Sequence, residues 1–266
     1  MIKGLYTAHT GMVNEMKRLD VLTNNLANAD TTAYKKEGTT SRTFADELAI
    51  KIKDTSHYGL PQKLGEISLV THLGQVYTDY STGNFEITDV ETDFALEGEG
   101  FFVVSFTDKS GNTSAKLTRD GSFVVDNNGY LRTKDGDYVL NATGALNMNP
   151  DPANYIRVNT LQSFTVDQLG YIYQNDQLIG TLGVVDVENY DYIQKYGENM
   201  YNLVEGGVIT ASEARVHQAT LESSNVKVVD EMVNMIAIQR AYDAGQKVIR
   251  SVDETLSTTV NLGKVQ

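Results

Sequence analysis

VVDEMVNMIAIQRAYDAGQKVIRSVDETL, residues 228–256, places an apolar or aromatic side chain every seven residues: Val228, Met235, Tyr242, Ile249 and Leu256. Ile238, Gly245 and Val252 form a companion row, each three residues after a member of the first. Alternating steps of three and four residues draw one stripe along one helical face. The spacing predicts a long C-terminal helix, N-capped by Ser223 or Ser224 of Glu222-Ser223-Ser224. Gly245 either weakens it by roughly 1 kcal/mol relative to Ala or lets a neighbouring helix approach closely.

The other end of the chain has the same rhythm. Leu5, Met12, Leu19 and Leu26 recur every seven residues, with Ala8 and Leu22 three residues after two of them. Glu15 interrupts that second row. A second helix is predicted here, and the stripes become stable when they find a partner that buries them. Residues 1–30 and 222–266 are expected to form a coiled-coil-like assembly domain, either by pairing with each other or by ordering only when many copies pack.

Between the ends the periodicity changes. Phe101-Phe102-Val103-Val104, Phe123-Val124-Val125, Tyr138-Val139-Leu140, Tyr171-Ile172-Tyr173 and Thr181–Val187 are short aromatic or β-branched runs. Ser110-Gly111-Asn112, Asp120-Gly121, Asn127-Asn128-Gly129, Asp135-Gly136 and Asn175-Asp176 separate them as turn signals. Short strands at such intervals predict an antiparallel sheet, sandwich or barrel over 81–221. Residues 31–80 are polar and rich in Thr, Ser and Gly. They read as an extended or hairpin connector, with one short helix near Arg42–Lys53. The expected class is α+β: terminal helices flanking a connector and a mainly antiparallel β domain.

Composition narrows the functional classes. The 266 residues contain no cysteine, which excludes disulfides, thiolate zinc sites and thiol catalysis. A formal net charge of −13 argues against nucleic-acid and anionic-membrane partners. The charge is uneven: residues 1–36 sum to +2, residues 220–266 to −1, and the middle to −14. Near-neutral ends suit packing, and an acidic middle suits water. No apolar run reaches the ~18 residues of a spanning helix, so membrane insertion is not expected. Met1-Ile2-Lys3-Gly4-Leu5-Tyr6 lacks a cationic region followed by an apolar core, so no cleavable signal is expected.

No motif for chemistry stands up. Gly98-Glu99-Gly100 lacks the third glycine of a dinucleotide fingerprint, because position 103 is Val, and it precedes a strand. The Asp126–Gly129 and Asp135–Asp137 clusters lack the alternating ligands and terminal Glu of a calcium loop. His9, His57, His72 and His217 have no ligand spacing, and no Gly-x-Ser-x-Gly elbow exists. Neither an enzyme activity nor a cofactor or metal is expected. The rival to a self-assembling structural protein is an exported β-rich binding module or hydrolase whose end helices form an oligomer stalk.

Three segments then carry a family likeness. Leu22-Thr23-Asn24-Asn25-Leu26-Ala27-Asn28-Ala29-Asp30-Thr31-Thr32-Ala33-Tyr34-Lys35 resembles the N-terminal signature of the bacterial flagellar rod and hook proteins. Glu222–Val226, Glu231–Ile236 and Gln239-Arg240-Ala241-Tyr242 resemble its closing signature. Leu96–Val104 and Leu117–Phe123 are similar to the β domain of its rod and hook members. Ala33 stands where the family usually has Gly, which weakens the expectation of a left-handed turn there.

The resemblance implies a structural subunit of the basal-body rod, in the cell envelope, between motor and hook. It implies export without signal cleavage through the flagellar type III apparatus, then helical polymerisation. Paired terminal helices would line the tube, with the β domain outside. Implied partners are further copies, other rod or hook subunits and the export apparatus; a hook or hook-junction subunit is the alternative. The length favours the distal rod protein or its close proximal paralogue. Expected assembly residues are Leu5, Met12, Leu19, Leu22, Leu26, Val228, Met235, Ile238, Tyr242, Ile249, Val252 and Leu256. The resemblance adds the motif residues Asn24, Asn25, Ala27, Asn28, Thr31, Tyr34, Lys35, Asn225, Gln239 and Arg240.

Overall fold

The computed structural model describes residues 2–43, 47–51, 62–67, 71–160, 162–197 and 199–263. Helix α1 (Ile2–Ala27) leads into β1 (Glu37–Thr43), β2 (Glu47–Lys51), β3 (Gln62–Ile67) and β4 (Thr71–Thr78). Then come β5 (Phe85–Ile87), β6 (Phe94–Glu97), β7 (Phe101–Thr107), β8 (Thr113–Thr118), β9 (Phe123–Val125), β10 (Leu131–Thr133) and β11 (Tyr138–Val139). After the short α2 (Ala142–Leu146) follow β12 (Thr165–Val166), β13 (Tyr171–Gln174), β14 (Gln177–Thr181) and β15 (Val184–Val187). The chain closes with β16 (Ile193–Gly197), β17 (Met200–Leu203), β18 (Ile209–Ala211), β19 (Arg215–Gln218), β20 (Thr220–Glu222) and α3 (Val228–Gly263). The class is α+β.

Two compact units share the chain. The first comprises Met1–Ala27, Lys36–Asp79 and Val226–Gln266; the second comprises Asn28–Lys35 and Tyr80–Asn225. Of the 31–80 stretch read as a connector, Lys36–Asp79 groups with the two long helices, while 31–35 and Tyr80 belong to the second unit.

In the first unit α1 and α3 pack side by side. They run antiparallel: Met12 lies against Gly245, while Asn25 reaches Glu231. Strands β1 and β4 pair in antiparallel register from Glu37↔Thr78 to Thr43↔Thr71, with a bulge at Thr40/Ser41. Strands β2 and β3 pair from Glu47↔Ile67 to Lys51↔Gln62. The expected helix near Arg42–Lys53 is not formed where its residues are described: 42–43 and 47–51 are strand, and 44–46 and 52–53 lie outside the described residues. A helix that short is marginal by itself, whereas the ladder to the returning strands satisfies the same backbone groups.

The second unit is built on an antiparallel sheet of nine described strands, β16-β17-β8-β7-β11-β10-β9, with β15 joining β7 to β18. Strand β7 explains the continuous apolar run at 101–104. Phe102 and Val104 face one core with Phe94, Leu131 and Ile172, while Phe101 and Val103 face another with Leu117, Leu140 and Tyr201. Successive side chains on a strand point to opposite faces, and here both faces are covered. Of the expected turn glycines, Gly111, Gly129 and Gly136 adopt a positive φ and Gly121 does not; Gly98 and Gly100, between β6 and β7, also adopt one. The run 181–187 divides, because Leu182 and Gly183 leave the strand direction and donate to Gly170 and Leu140.

Two further expectations are corrected. Helix α3 starts at Val228, and the Glu231 N–H bonds to the Lys227 carbonyl, so neither Ser223 nor Ser224 caps it. Ser223 N–H instead donates to the Asn84 carbonyl, since β20 holds this segment extended against β5. Ala33 does adopt the left-handed conformation, with φ of 55° and its side chain buried. Its N–H is fixed by the Glu222 carbonyl at 2.7 Å, so a tertiary hydrogen bond holds a conformation that alanine disfavours.

Candidate assembly surface

The covered face of α3 consists of Glu231, Met235, Ile238, Tyr242, Gly245, Ile249 and Val252, in unbroken steps of four and three. Facing it, Leu5, Ala8, Met12, Glu15, Leu19, Leu22 and Leu26 of α1 are all partly covered. Val228 and Leu256, the two ends of the row read from the sequence, are exposed. Gly245 marks the close approach: a Cβ there would sit 2.7 Å from Met12 Cγ. The glycine therefore makes room for Met12, the second of the two readings of that residue. Glu15, the break in the α1 row, pairs with Arg18 at 3.0 Å. It lines a groove of about 380 Å³ with Leu19, Ile238 and Tyr242.

Glu231 occupies the companion row ahead of Ile238, Gly245 and Val252, where sequence reasoning assigned nothing. It is fully buried, and its Oε1 lies 2.7 Å from Lys36 Nζ. Asn25, also fully buried, donates to Glu231 Oε2 and exchanges two bonds with the Glu37 backbone, at 2.8 and 2.9 Å. The hydrogen bond to Glu231 raises the Lys36 pKa above its ordinary value of 10.5 against the opposing effect of burial. A carboxylate on an apolar seam is tolerable because the ammonium and amide replace its water.

A second charged lock lies in the other unit. Lys35 Nζ meets Glu222 Oε1 at 2.6 Å and donates to the Ser81 carbonyl at 2.9 Å. Glu222 Oε1 also accepts the Gly83 N–H at 2.8 Å, and Arg119 Nη1 stands 3.6 Å from Oε2. Arg119 itself donates to the Leu96 and Gly98 carbonyls. Around it Asn225 donates to Ser81, and Lys195 donates to the Lys35 carbonyl while lying over the Tyr34 ring. Glu222, Glu231, Lys36 and Arg119 follow no catalytic or metal-ligand spacing in the sequence, so no local motif marks them. The available signal was the dibasic Lys35-Lys36 near one end and two glutamates nine positions apart near the other.

The motif residues separate by role. Asn25, Tyr34 and Lys35 are buried, and Asn225 is half-buried and bonded. Asn28 and Thr31 close the turn after α1, with Thr31 N–H donating to the Asn28 carbonyl. Asn24, Ala27, Gln239 and Arg240 are exposed on their helices.

One face of α3 remains uncovered. Val229, Met232, Val233 and Ile236 are 72, 48, 60 and 50 % exposed and follow the i, i+3, i+4, i+7 spacing of a single helical stripe. Among the described residues no helix is long and apolar enough to cross a membrane.

Comparison with known proteins accounts for these features together. Residues 5–35 match "Flagella basal body rod protein", residues 95–174 match "Flagellar hook protein FlgE/F/G D1 domain", and residues 217–262 match "Flagellar basal body rod FlgEFG protein C-terminal". The flagellar basal-body rod protein FlgG of Bacillus subtilis is 32% identical over 98% of this chain and 99% of its own length. The chain belongs to the flagellar basal-body rod protein family. FlgF of Caulobacter vibrioides is similar at 30% identity over the whole of both chains. Members of this family are structural proteins of the basal body in the cell envelope, not enzymes, and this chain is a structural rod subunit. Asn25, Lys35, Glu222 and Glu231 all fall inside the terminal family matches, so in this rod protein the matched ends contribute both the helical seam and the two charged locks.

Proposed function

We propose that this rod subunit polymerises helically through its terminal helices after export as an unfolded chain by the flagellar type III apparatus. The uncovered stripe Val229–Ile236 carries the proposal, because an apolar stripe facing water in the isolated chain is surface for a neighbour. Contacts of one helix face with a different face of the next copy do not close, and so make a filament. In this reading α1 and α3 pair in the manner of a coiled coil, through Leu5, Met12, Leu19, Leu22, Leu26, Met235, Ile238, Tyr242, Ile249 and Val252. Val228 and Leu256, exposed at the two ends of the α3 row, face neighbouring copies.

Export of the unfolded chain is supported by the reach of the locks. Lys35 and Glu222 are 187 positions apart, so the second unit completes its buried charge pair only once nearly the whole chain is available. The finer placement, at the distal end of the rod, rests on chain length alone.

The test introduces charge on the open stripe. Val233→Asp with Ile236→Asp leaves the circular dichroism and thermal transition of the purified chain unchanged and abolishes incorporation into basal bodies and motility. Normal flagella from that variant would refute the proposal. Immuno-electron microscopy of isolated basal bodies places the subunit along the rod.

A further inference from the structure

The apolar rows of α1 and α3 match at more than one alignment. Both repeat every seven residues, so sliding α3 by seven residues, about 10.5 Å, lays apolar side chains against apolar side chains again. The observed alignment is marked at three places. Gly245 makes room for Met12, Leu19 and Ile238 line one groove, and Asn25 donates to Glu231 Oε2 at 3.4 Å. Met12, Leu19 and Asn25 climb α1 by seven and six residues, while Gly245, Ile238 and Glu231 descend α3 by seven and seven. All three contacts therefore belong to one antiparallel alignment.

Only the last of them is polar. Glu231 is fully buried on the covered face, with Lys36 Nζ 2.7 Å from Oε1. Its two partners come from the end of α1 and from the residue just before β1. Asn25 is itself held by two hydrogen bonds to the Glu37 backbone, so its amide has one fixed position. Slid seven residues one way, Glu231 comes opposite Leu19 and Ile238 comes opposite Met12. Slid the other way, Glu231 passes the end of α1 at Ala27, Ile238 comes opposite Leu26 beside Asn25, and Val252 replaces Gly245 at Met12. Either slip takes the carboxylate from the amide and ammonium that replace its water. The helix start does not depend on Glu231 for its dipole, because the exposed Asp230 lies in the same first turn.

We infer that Glu231 sets the register of the α1–α3 seam: its buried carboxylate, met by Asn25 and Lys36 in one alignment alone, excludes the slipped alignments that the apolar rows would accept. A polar residue buried in an apolar seam specifies register at some expense of stability. The device gives every copy the same surface, including the open stripe Val229–Ile236, as a polymer of repeated contacts requires. The seam lies within one copy, so its test stands apart from the polymerisation proposed above.

Because the chain has no cysteine, introduced pairs report the alignment. Met12→Cys with Gly245→Cys should link within one copy when the purified full chain is oxidised, since a Cβ at 245 lies within reach of residue 12. Met12→Cys with Ile238→Cys and Met12→Cys with Val252→Cys report the two slipped alignments. In the observed one their members stand about 10 Å apart along the axis, beyond the ~7 Å limit of a disulfide. With Glu231 present only the 12/245 pair should join, read by mass spectrometry of the linked peptides.

Adding Glu231→Leu removes the buried charge, while Asn25 keeps its Glu37 bonds and Lys36, 32 % exposed, turns to water. The 12/245 linkage should then fall and at least one slipped linkage appear. The urea midpoint of Glu231→Leu without cysteines should stay level or rise, where an ordinary stabilising ion pair would make it fall. Slipped pairs that stay open in Glu231→Leu overturn the inference, whatever the midpoint. Glu231→Gln, uncharged and of the same size, repeats the test should Glu231→Leu lose its helical signal. Loss of that signal in both variants also overturns it, since the seam would then need the charge in order to form. Failure of the 12/245 pair to join with Glu231 present overturns the alignment itself.

Discussion

Lys35 and Glu222 meet at 2.6 Å with both side chains 1 % exposed, although 187 positions separate them in the chain. Removing one partner leaves the other charged and out of water, which costs about 3–5 kcal/mol. Lys35→Met and Glu222→Gln should each lower the stability of the full chain by that order in urea unfolding. The double variant should lose clearly less than the sum, and additivity would show that the pair is not coupled.

Ala33 offers the opposite sign. A left-handed alanine is disfavoured by roughly 1–2 kcal/mol, and glycine removes that penalty at the expense of a more flexible unfolded chain. Ala33→Gly should therefore stabilise by up to about 1 kcal/mol, read as a rise in Tm. A fall would show that the buried methyl contributes more through packing than the backbone loses through strain.

The helical seam should fail separately. Met235→Asp puts a second carboxylate beside Glu231 on the covered face, and Gly245→Leu drives a side chain into Met12. Each should lower the helical signal and prevent incorporation into basal bodies while leaving the β-rich unit's thermal transition nearly unchanged. Simultaneous loss of both transitions would show that the seam belongs to one cooperative core.

High pH should destabilise both units. Burial raises the pKa of Tyr201 and, together with a hydrogen bond to Asp186, that of Tyr190, so the folded chain keeps protons that the unfolded chain gives up above about pH 10. The stabilisation is therefore complete below that pH and is lost as pH rises. Lys36 acts in the same direction, since its raised pKa stabilises the fold fully below 10.5 and progressively less above. Urea titrations at pH 8 and 11 should show the loss, and Tyr201→Phe should reduce it.

Much of this was legible in the order of residues. Seven-residue spacing in 5–26 and 228–256 placed both helices, because burial on one helical face imposes a period that survives in sequence. Aromatic and β-branched runs between Asn-Gly and Asp-Gly turns placed the antiparallel strands, because those turns require glycine's backbone. Three family signatures in order identified the subunit. The sequence did not reveal that Glu231 sits on the seam or that Lys35 reaches Glu222, because pairings across 187 residues leave no local period. Nor did it reveal that Arg42–Thr43 and Glu47–Lys51 are strand, since their conformation comes from ladder partners downstream. Local periodicity and turn chemistry thus determined which elements form and which family they serve. Only the tertiary structure decided how the ends are locked and which apolar face stays open, because buried charge and uncovered surface are properties of what lies opposite a residue in space.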